Sequence, residues 1–245
     1  SSFVGGVVPL VYFLLPNKSP LHLTKTRLEG RVLAQTCTNG SSEMLSNLST
    51  SLVSILYNFQ LMRLIGEDGV AAFGVIMYVN FIFIGVFMGY SIGAGPIVSF
   101  HYGAGNQGEL RSLLRKSLLL MLAGCAGLTA AAVALAGPLS RIFVGYDPEL
   151  LALTTRGFRL YALSFLAMGF NIFGSAFFTA LGNGVISAAI AFLRTLLFQT
   201  AAIFVLPLFL GLDGIWLSEA AAEVLALFIT AAFLVTQRKR YGYGA

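Results

Sequence analysis

Charge is what this sequence has least of: 10% of its residues are Asp, Glu, Lys or Arg, against about a quarter in soluble domains. With 57% hydrophobic residues and a mean hydropathy of +0.85, too little polar surface remains to face water on all sides. A soluble globule is excluded. The short apolar/polar alternation of a membrane β-barrel is missing too, and the apolar runs are long and continuous, so helices that cross a bilayer are expected. Cysteine is scarce. Cys37 lies in a polar connection and Cys125 inside an apolar run, so no disulfide is expected. His101 has no Cys, Asp or second His at ligand spacing, and no metal site or cofactor is expected. No nucleophile–base pair or His/Asp cluster stands at membrane depth, which speaks against an enzyme. The net charge of +5 has no basic domain behind it, because the cations sit at the ends of apolar runs. That pattern orients a chain in a membrane and does not indicate nucleic acid.

What is present is organised around residues 40–63, a membrane-length helix with one polar stripe. No charge occurs from Met44 to Met62, about the length needed to cross a ~30 Å hydrocarbon core. At the helical period Glu43, Ser46, Asn47, Thr50, Ser51, Ser54, Tyr57 and Asn58 share less than half a turn, while Leu45, Leu48, Leu52, Ile55, Leu56 and Phe59 take the other side. A spanning helix with one wet face turns it toward protein or a water-filled cavity. The run at about 149–181 repeats the pattern, with Tyr161, Ser164, Met168, Asn171, Ser175 and Thr179 on one face and phenylalanines around them. Two such faces suit a pocket for a bulky, partly apolar ligand, and a carboxylate with aromatics would attract a cation.

Between these lies a run at about 70–100 without charge in its interior. Tyr78 and Asn80 are its polar groups at depth, and Gly85, Gly89 and Gly93 form a four-residue row before Gly95-Pro96 that lets another backbone approach. The run at about 115–136 is Leu, Ala and Gly, a scaffold helix ended by Gly137-Pro138. Asp147-Pro148-Glu149 opens the next element. Arg194 lies nine residues into the run from Val185, and Glu223 nine into the run from Gly214, with Glu219 one turn before it. In an antiparallel hairpin Arg194 and Glu223 reach equal depth, so they are expected to form a structural ion pair.

The expected organisation is 1–16, the end of a spanning helix; 17–39, a cytoplasmic connection with a short surface helix; 40–237, a six-helix transmembrane bundle; and 238–245, a cytoplasmic tail. The chain starts without Met inside an apolar stretch and reads as a piece whose N-terminal part is missing. With 17–39 inside, ten Lys and Arg fall on the cytoplasmic side and Arg63, Arg141, Arg156 and Arg159 outside, in line with the positive-inside rule. That gives a multi-pass cell-membrane protein with its C-terminus in the cytoplasm.

Four stretches taken in order, GEDGVAAFGV (66–75), GYSIGAGPIVSFHYGAGN (89–106), FFTALGNG (177–184) and LRTLLF…LPLFLGLDGIW (193–216), resemble the multidrug and toxic compound extrusion (MATE) transporters. The likeness covers nearly the whole chain as the second of that family's two six-helix lobes, with 1–16 as the end of the sixth helix and 17–39 as the link between lobes. It implies secondary active export of small organic, often cationic, molecules in exchange for Na+ or H+. The implied partners are the missing N-terminal lobe and membrane lipid, and the implied cavity is lined by the runs at 40–63, 70–100 and 149–181. The expected cavity residues are therefore Glu43, Asn47, Thr50, Ser51, Ser54, Asn58, Tyr78, Asn80, Tyr161, Ser164, Met168, Asn171 and Ser175. Many members carry a carboxylate near the middle of the seventh helix; here Thr50 and Ser51 stand there, and Glu43 is that helix's only acid. The coupling carboxylate is expected in Glu43 or in the missing lobe. The alternative within the same superfamily is a lipid-linked oligosaccharide flippase, which needs several inward-facing cations where this sequence offers Arg194.

Overall fold

A computed structural model describes residues 2–15 and 29–243, apart from a few side chains near the start that include Glu43 and Ser46. By packing, the chain falls into two units, Ser1–Thr36 and Cys37–Ala245. The first holds α1 (Ser2–Leu14), an apolar helix whose Phe3 and Leu14 are exposed. Of the expected 17–39 connection, residues 17–28 lie outside the described residues.

α2 (Gly30–Leu64) begins ten residues earlier than the polar connection suggested. Val32 and Leu33, expected on a separate surface helix, belong to it, because nothing between Gly30 and Gly40 breaks the helical period. In the second unit α2 is followed by α3 (Glu67–Gly103), α4 (Gln107–Val144) and α5 (Pro148–Tyr161). A 3-10 turn, Ala162–Ser164, leads into α6 (Phe165–Ala180). α7 (Gly184–Ala191) and α8 (Thr200–Leu210) are joined by a π-helical segment, Phe192–Gln199, and α9 (Leu212–Thr236) and α10 (Arg238–Tyr241) complete the order. The described residues hold no strand.

Among the described residues, five helical segments are long and apolar enough to cross a membrane: Glu67–Gly103, Gln107–Val144, Pro148–Ala180, Gly184–Leu210 and Leu212–Thr236. The expected sixth span, in α2, falls short of that measure because its polar stripe dilutes its apolar side. The ends follow the sequence signals. Asp147 Oδ1 accepts from the backbone N–H of Glu149 at 2.9 Å and caps α5, and Asn106 caps α4 through the N–H of Glu109. The turns close on Gly66 at φ 84° and Gly182 at φ 75°, backbone that a side chain would strain.

One expected helix end fails. Gly137-Pro138 does not end α4, which runs on to Val144; a helix packed against neighbours tolerates the proline because they absorb the freed backbone group. The row Gly85, Gly89 and Gly93 meets no other backbone among the described residues and stands open on the outer side of α3. Within the described residues α3 buries the face of Phe83, Phe87, Ala94 and Val98, packed on α4, α5 and α6.

α9 lies at the centre of the packing, touching α5, α6, the π segment and α8. Trp216 is fully buried against α5 at Gly157, where a Cβ would come within 2.8 Å of the indole. Gly169 of α6 likewise leaves room for Cys125 and Phe87, and a Cβ there would lie 2.7 Å from either. Arg156 and Asp213 pair at the surface and tie the start of α9 to α5. Most large side chains on the remaining faces are apolar and exposed, among them Ile82, Ile142 and Phe209, the surface a bilayer covers.

Candidate functional site

The buried edge of α2 is Ser49, Val53, Tyr57, Gln60 and Leu61. On the helical wheel that edge lies about a quarter turn from the centre of the polar stripe. Anchored by that edge, α2 carries Thr50, Ser54 and Tyr57 to the mouth of a cavity of about 90 Å³. α3 adds Phe73, Met77 and Asn80, α5 Tyr161, α6 Met168, the π segment Arg194, Thr195 and Gln199, and α9 Glu219.

Hydrogen bonds hold the wall from behind. Tyr57 stacks on Phe73 with ring centroids 4.8 Å apart, and its hydroxyl lies 2.6 Å from Ser218 Oγ. Ser218 Oγ also donates to the carbonyl of Ile215 at 2.6 Å. Gln199 Nε2 donates to Glu219 Oε2. Glu219 is 8% exposed and Asn80 5%, and Asn80 Oδ1 has no hydrogen-bond partner among the described residues. A buried acceptor left unmatched costs about 1–3 kcal/mol, so it is informative where it occurs.

Beside the cavity lies a closed polar seam. Arg194 Nε stands 3.6 Å from Glu223 Oε1. Asn171 Nδ2 donates to Glu223 Oε2 at 2.6 Å and to the Glu223 carbonyl at 2.9 Å, and Thr230 Oγ1 donates to Asn171 Oδ1 at 2.8 Å. Gly174 makes room for the Thr230 methyl. Cavity and seam together hold two carboxylates, Glu219 and Glu223, and one guanidinium.

Of the residues expected to line one cavity, Thr50, Ser54, Asn80, Tyr161 and Met168 come together, and Arg194 joins them. Asn47 and Ser51 are on the exposed part of the α2 stripe, where Ser51 Oγ donates to the Asn47 carbonyl at 3.0 Å. Asn58, half-buried, donates to the Ser54 carbonyl at 2.9 Å. Ser164 is fully buried in the 3-10 turn, outside the cavity lining. Asn171 belongs to the seam, and Ser175 bonds Ser187 Oγ of α7 at 2.8 Å. A stripe this long meets different neighbours at different depths, which is why one helical face serves three contacts. Tyr78 is 70% exposed and stacks on Phe143 at 6.4 Å, away from the cavity. The side chain of Glu43 lies outside the described residues.

Thr195, Gln199 and Glu219 were not among the residues the sequence singled out for the cavity. Glu219 had a signal, its spacing from Glu223. Gln199 had none: five residues from Arg194 is 140° round an α-helix, and only a π segment, whose hydrogen bonds run from i to i+5, stacks the two.

A family model, MatE, matches residues 44–205, more than half of the chain. The chain belongs to the MatE family. No curated protein matches it by sequence. Among solved structures, the fold of an outward-facing multidrug resistance MATE family transporter of the MOP superfamily superposes with a TM-score of 0.89 at 18% identity, covering 98% of this chain and 54% of that one. The Vibrio cholerae MATE transporter VcmN in its bent form gives 0.81 at 17% identity, with 100% and 54% covered. A Pyrococcus furiosus MOP superfamily transporter, described by the reverse polarity of its binding pocket suggesting a different function, gives 0.87 at 19% identity, with 98% and 54% covered. The chain therefore spans about half the length of the MATE proteins it matches in fold.

Proposed function

We propose that this chain is the second lobe of a MATE-type secondary active transporter that exports organic, often cationic, compounds in exchange for Na+ or H+. Its partner is a first lobe of the same protein. Both lie in the cell membrane, with residues 238–245 in the cytoplasm. One observation carries the reading: polar groups of α2, α3 and α5 line a single hollow, and the α2 stripe continues from it as the exposed Asn47, Thr50 and Ser51. An exposed polar stripe beside exposed Leu48, Leu52 and Ile55 suits a helix with water or a second lobe on one side and lipid on the other. The sign of charge supports cationic cargo, since Glu219 and Glu223 face one guanidinium. A lipid-linked oligosaccharide would need several free cations to hold a pyrophosphate, and Arg194 is engaged by Glu223.

Full-length protein in an efflux-deficient cell is expected to restore export of cationic dyes, and collapse of the ion gradient is expected to abolish it. Dye export that survives that collapse, or exchange of lipid-linked sugar in its place, overturns the reading.

A further inference from the structure

Arg156 pairs with Asp213 and Arg194 with Glu223, but Arg111 and Arg115, exposed and one turn apart on α4, pair with no acid among the described residues. Glu109, in the first turn of the same helix, engages neither. Like charges at i and i+4 repel, and an anion held between them removes that repulsion. Arginine suits a phosphate in particular, because its planar fork meets two oxygens at once. Past the arginines the surface turns apolar. α4 packs one side on α3, α5 and α6, and beside α6 it leaves a groove of about 430 Å³ along Leu118, Leu119 and Leu122, walled by Phe170 and by Tyr243. Leu119 and Leu122 are each 57% exposed, so the groove opens on the lipid side. Arg111 to Leu122 is about 16 Å of helix, one leaflet of a ~30 Å hydrocarbon core. Spread over that length the volume is about 27 Å² in section, room for one extended hydrocarbon chain and far less than an α-helix ~10 Å across.

The wall beside the arginines is fixed by the fold. Tyr243 is 5% exposed; its hydroxyl donates to the Leu234 carbonyl at 3.0 Å, and its ring meets Phe177 edge-on at 5.4 Å. Gly242, at φ 74°, fits against Gln107 at the start of α4, where a Cβ would come within 2.5 Å of the side chain. Tyr241 lies parallel to Tyr243, with planes 8° apart, and its hydroxyl accepts from Asn183 Nδ2 at 2.7 Å. One short segment thus ties α4, α6, α9 and the cap of α7 together and shapes the groove. We infer that an anionic phospholipid occupies it, with its phosphate on Arg111 and Arg115 and one acyl chain along the leucines against Phe170. A soluble anion would use the arginines and leave the leucines bare; a neutral lipid would do the opposite. Lys116 and, on α10, Arg238, Lys239 and Arg240 are exposed as well, and a cationic rim of this kind concentrates anionic headgroups. By the orientation proposed above this is the cytoplasmic leaflet, whose surface is the negative one. Nothing in the site depends on the compound or the ion that the protein moves.

The test titrates purified full-length protein with phosphatidylglycerol and, separately, with phosphatidylcholine, counting retained lipid by native mass spectrometry and following thermal unfolding. Phosphatidylglycerol is expected to stay bound through delipidation and to raise Tm, and phosphatidylcholine to do neither. Arg111→Gln/Arg115→Gln is expected to weaken retention about thirtyfold, the worth of two surface cations toward an anionic lipid, with Tm in phosphatidylcholine unchanged as the sign that the variant is folded. Arg111→Lys/Arg115→Lys keeps both charges and loses only the forked contact, so most of the retention is expected to return. Leu119→Gln, which sets an amide in the acyl slot, is expected to weaken retention with both arginines in place. Arg141→Gln/Arg159→Gln removes two exposed cations from the other membrane end and is expected to change nothing. Equal loss in the two glutamine pairs is general charge attraction, and the same rise in Tm with inorganic phosphate is an anion site without a lipid; either result overturns the proposal, as does equal retention of phosphatidylcholine. Dye export enters none of these readouts, so failure of the lipid site leaves the transporter reading standing, and failure of that reading leaves the lipid site standing.

Discussion

Asn171 and Asn80 are both buried amides inside membrane-spanning helices, and the protein treats them in opposite ways. Asn171 is fully buried and bonded through both ends, donating to Glu223 and accepting from Thr230. Asn80 faces a hollow with its carbonyl oxygen unmatched. In a medium without water, the first arrangement holds helices together and the second reserves polarity for something that comes and goes. The comparison separates α9 into two roles one turn apart: Glu223 closes the seam, Glu219 opens on the cavity.

The largest effect expected is at the seam. Arg194→Ala leaves Glu223 buried without its cation, and breaking a buried pair costs about 3–5 kcal/mol. The folded fraction recovered from membranes should fall severalfold, and an undiminished yield would mean the seam does not hold the bundle. Asn171→Ala comes next. It strands the Thr230 hydroxyl and removes two bonds to Glu223, a cost of about 2 kcal/mol, to be read as a lowered midpoint of thermal unfolding.

Asn80→Ala sharpens the contrast from the other side. Its carbonyl oxygen makes no bond to lose, so unfolding should shift by less than about 1 kcal/mol while gradient-driven export falls. A Tm drop as large as that of Asn171→Ala would place Asn80 in a structural network.

How much of this was legible in the sequence differs by element. The helices, the opening of α5 at Asp147 and the apolar outer faces follow from local signals, because caps and periodicity depend on neighbours along the chain; the start of α4 at Gln107, capped by Asn106, lies ahead of the run read at 115–136. Counting residues from two turns puts Arg194 and Glu223 level, and they stand 3.6 Å apart. The meeting of Gln199 with Glu219 was not legible, since the π segment that produces it breaks the period every wheel assumes. The long stripe of α5 and α6 was read as one surface, but depth along the helix decides whether a hydroxyl finds the cavity, α9 or α7. Gly137-Pro138 misled for a further reason: the stop signal was learned from helices in water, and α4 is packed.

The smallest effect is expected at Tyr78, and it checks the frame of the comparison. Tyr78 and Asn80 were both placed at the cavity from their polarity and depth, yet two residues along a helix are 200° apart, so no regular α3 could present both. The structure resolves the conflict by burying Asn80 and leaving Tyr78 70% exposed against Phe143. A tyrosine there acts through its ring, since that contact stacks two aromatic faces with planes 5° apart. Tyr78→Phe keeps the ring and removes only a hydroxyl with no role in the cavity, so stability should stay within about 0.5 kcal/mol and dye export should be unchanged. If export instead falls as it does for Asn80→Ala, the outer face of α3 takes part in transport, and polarity at depth cannot be sorted by which side of the helix it occupies.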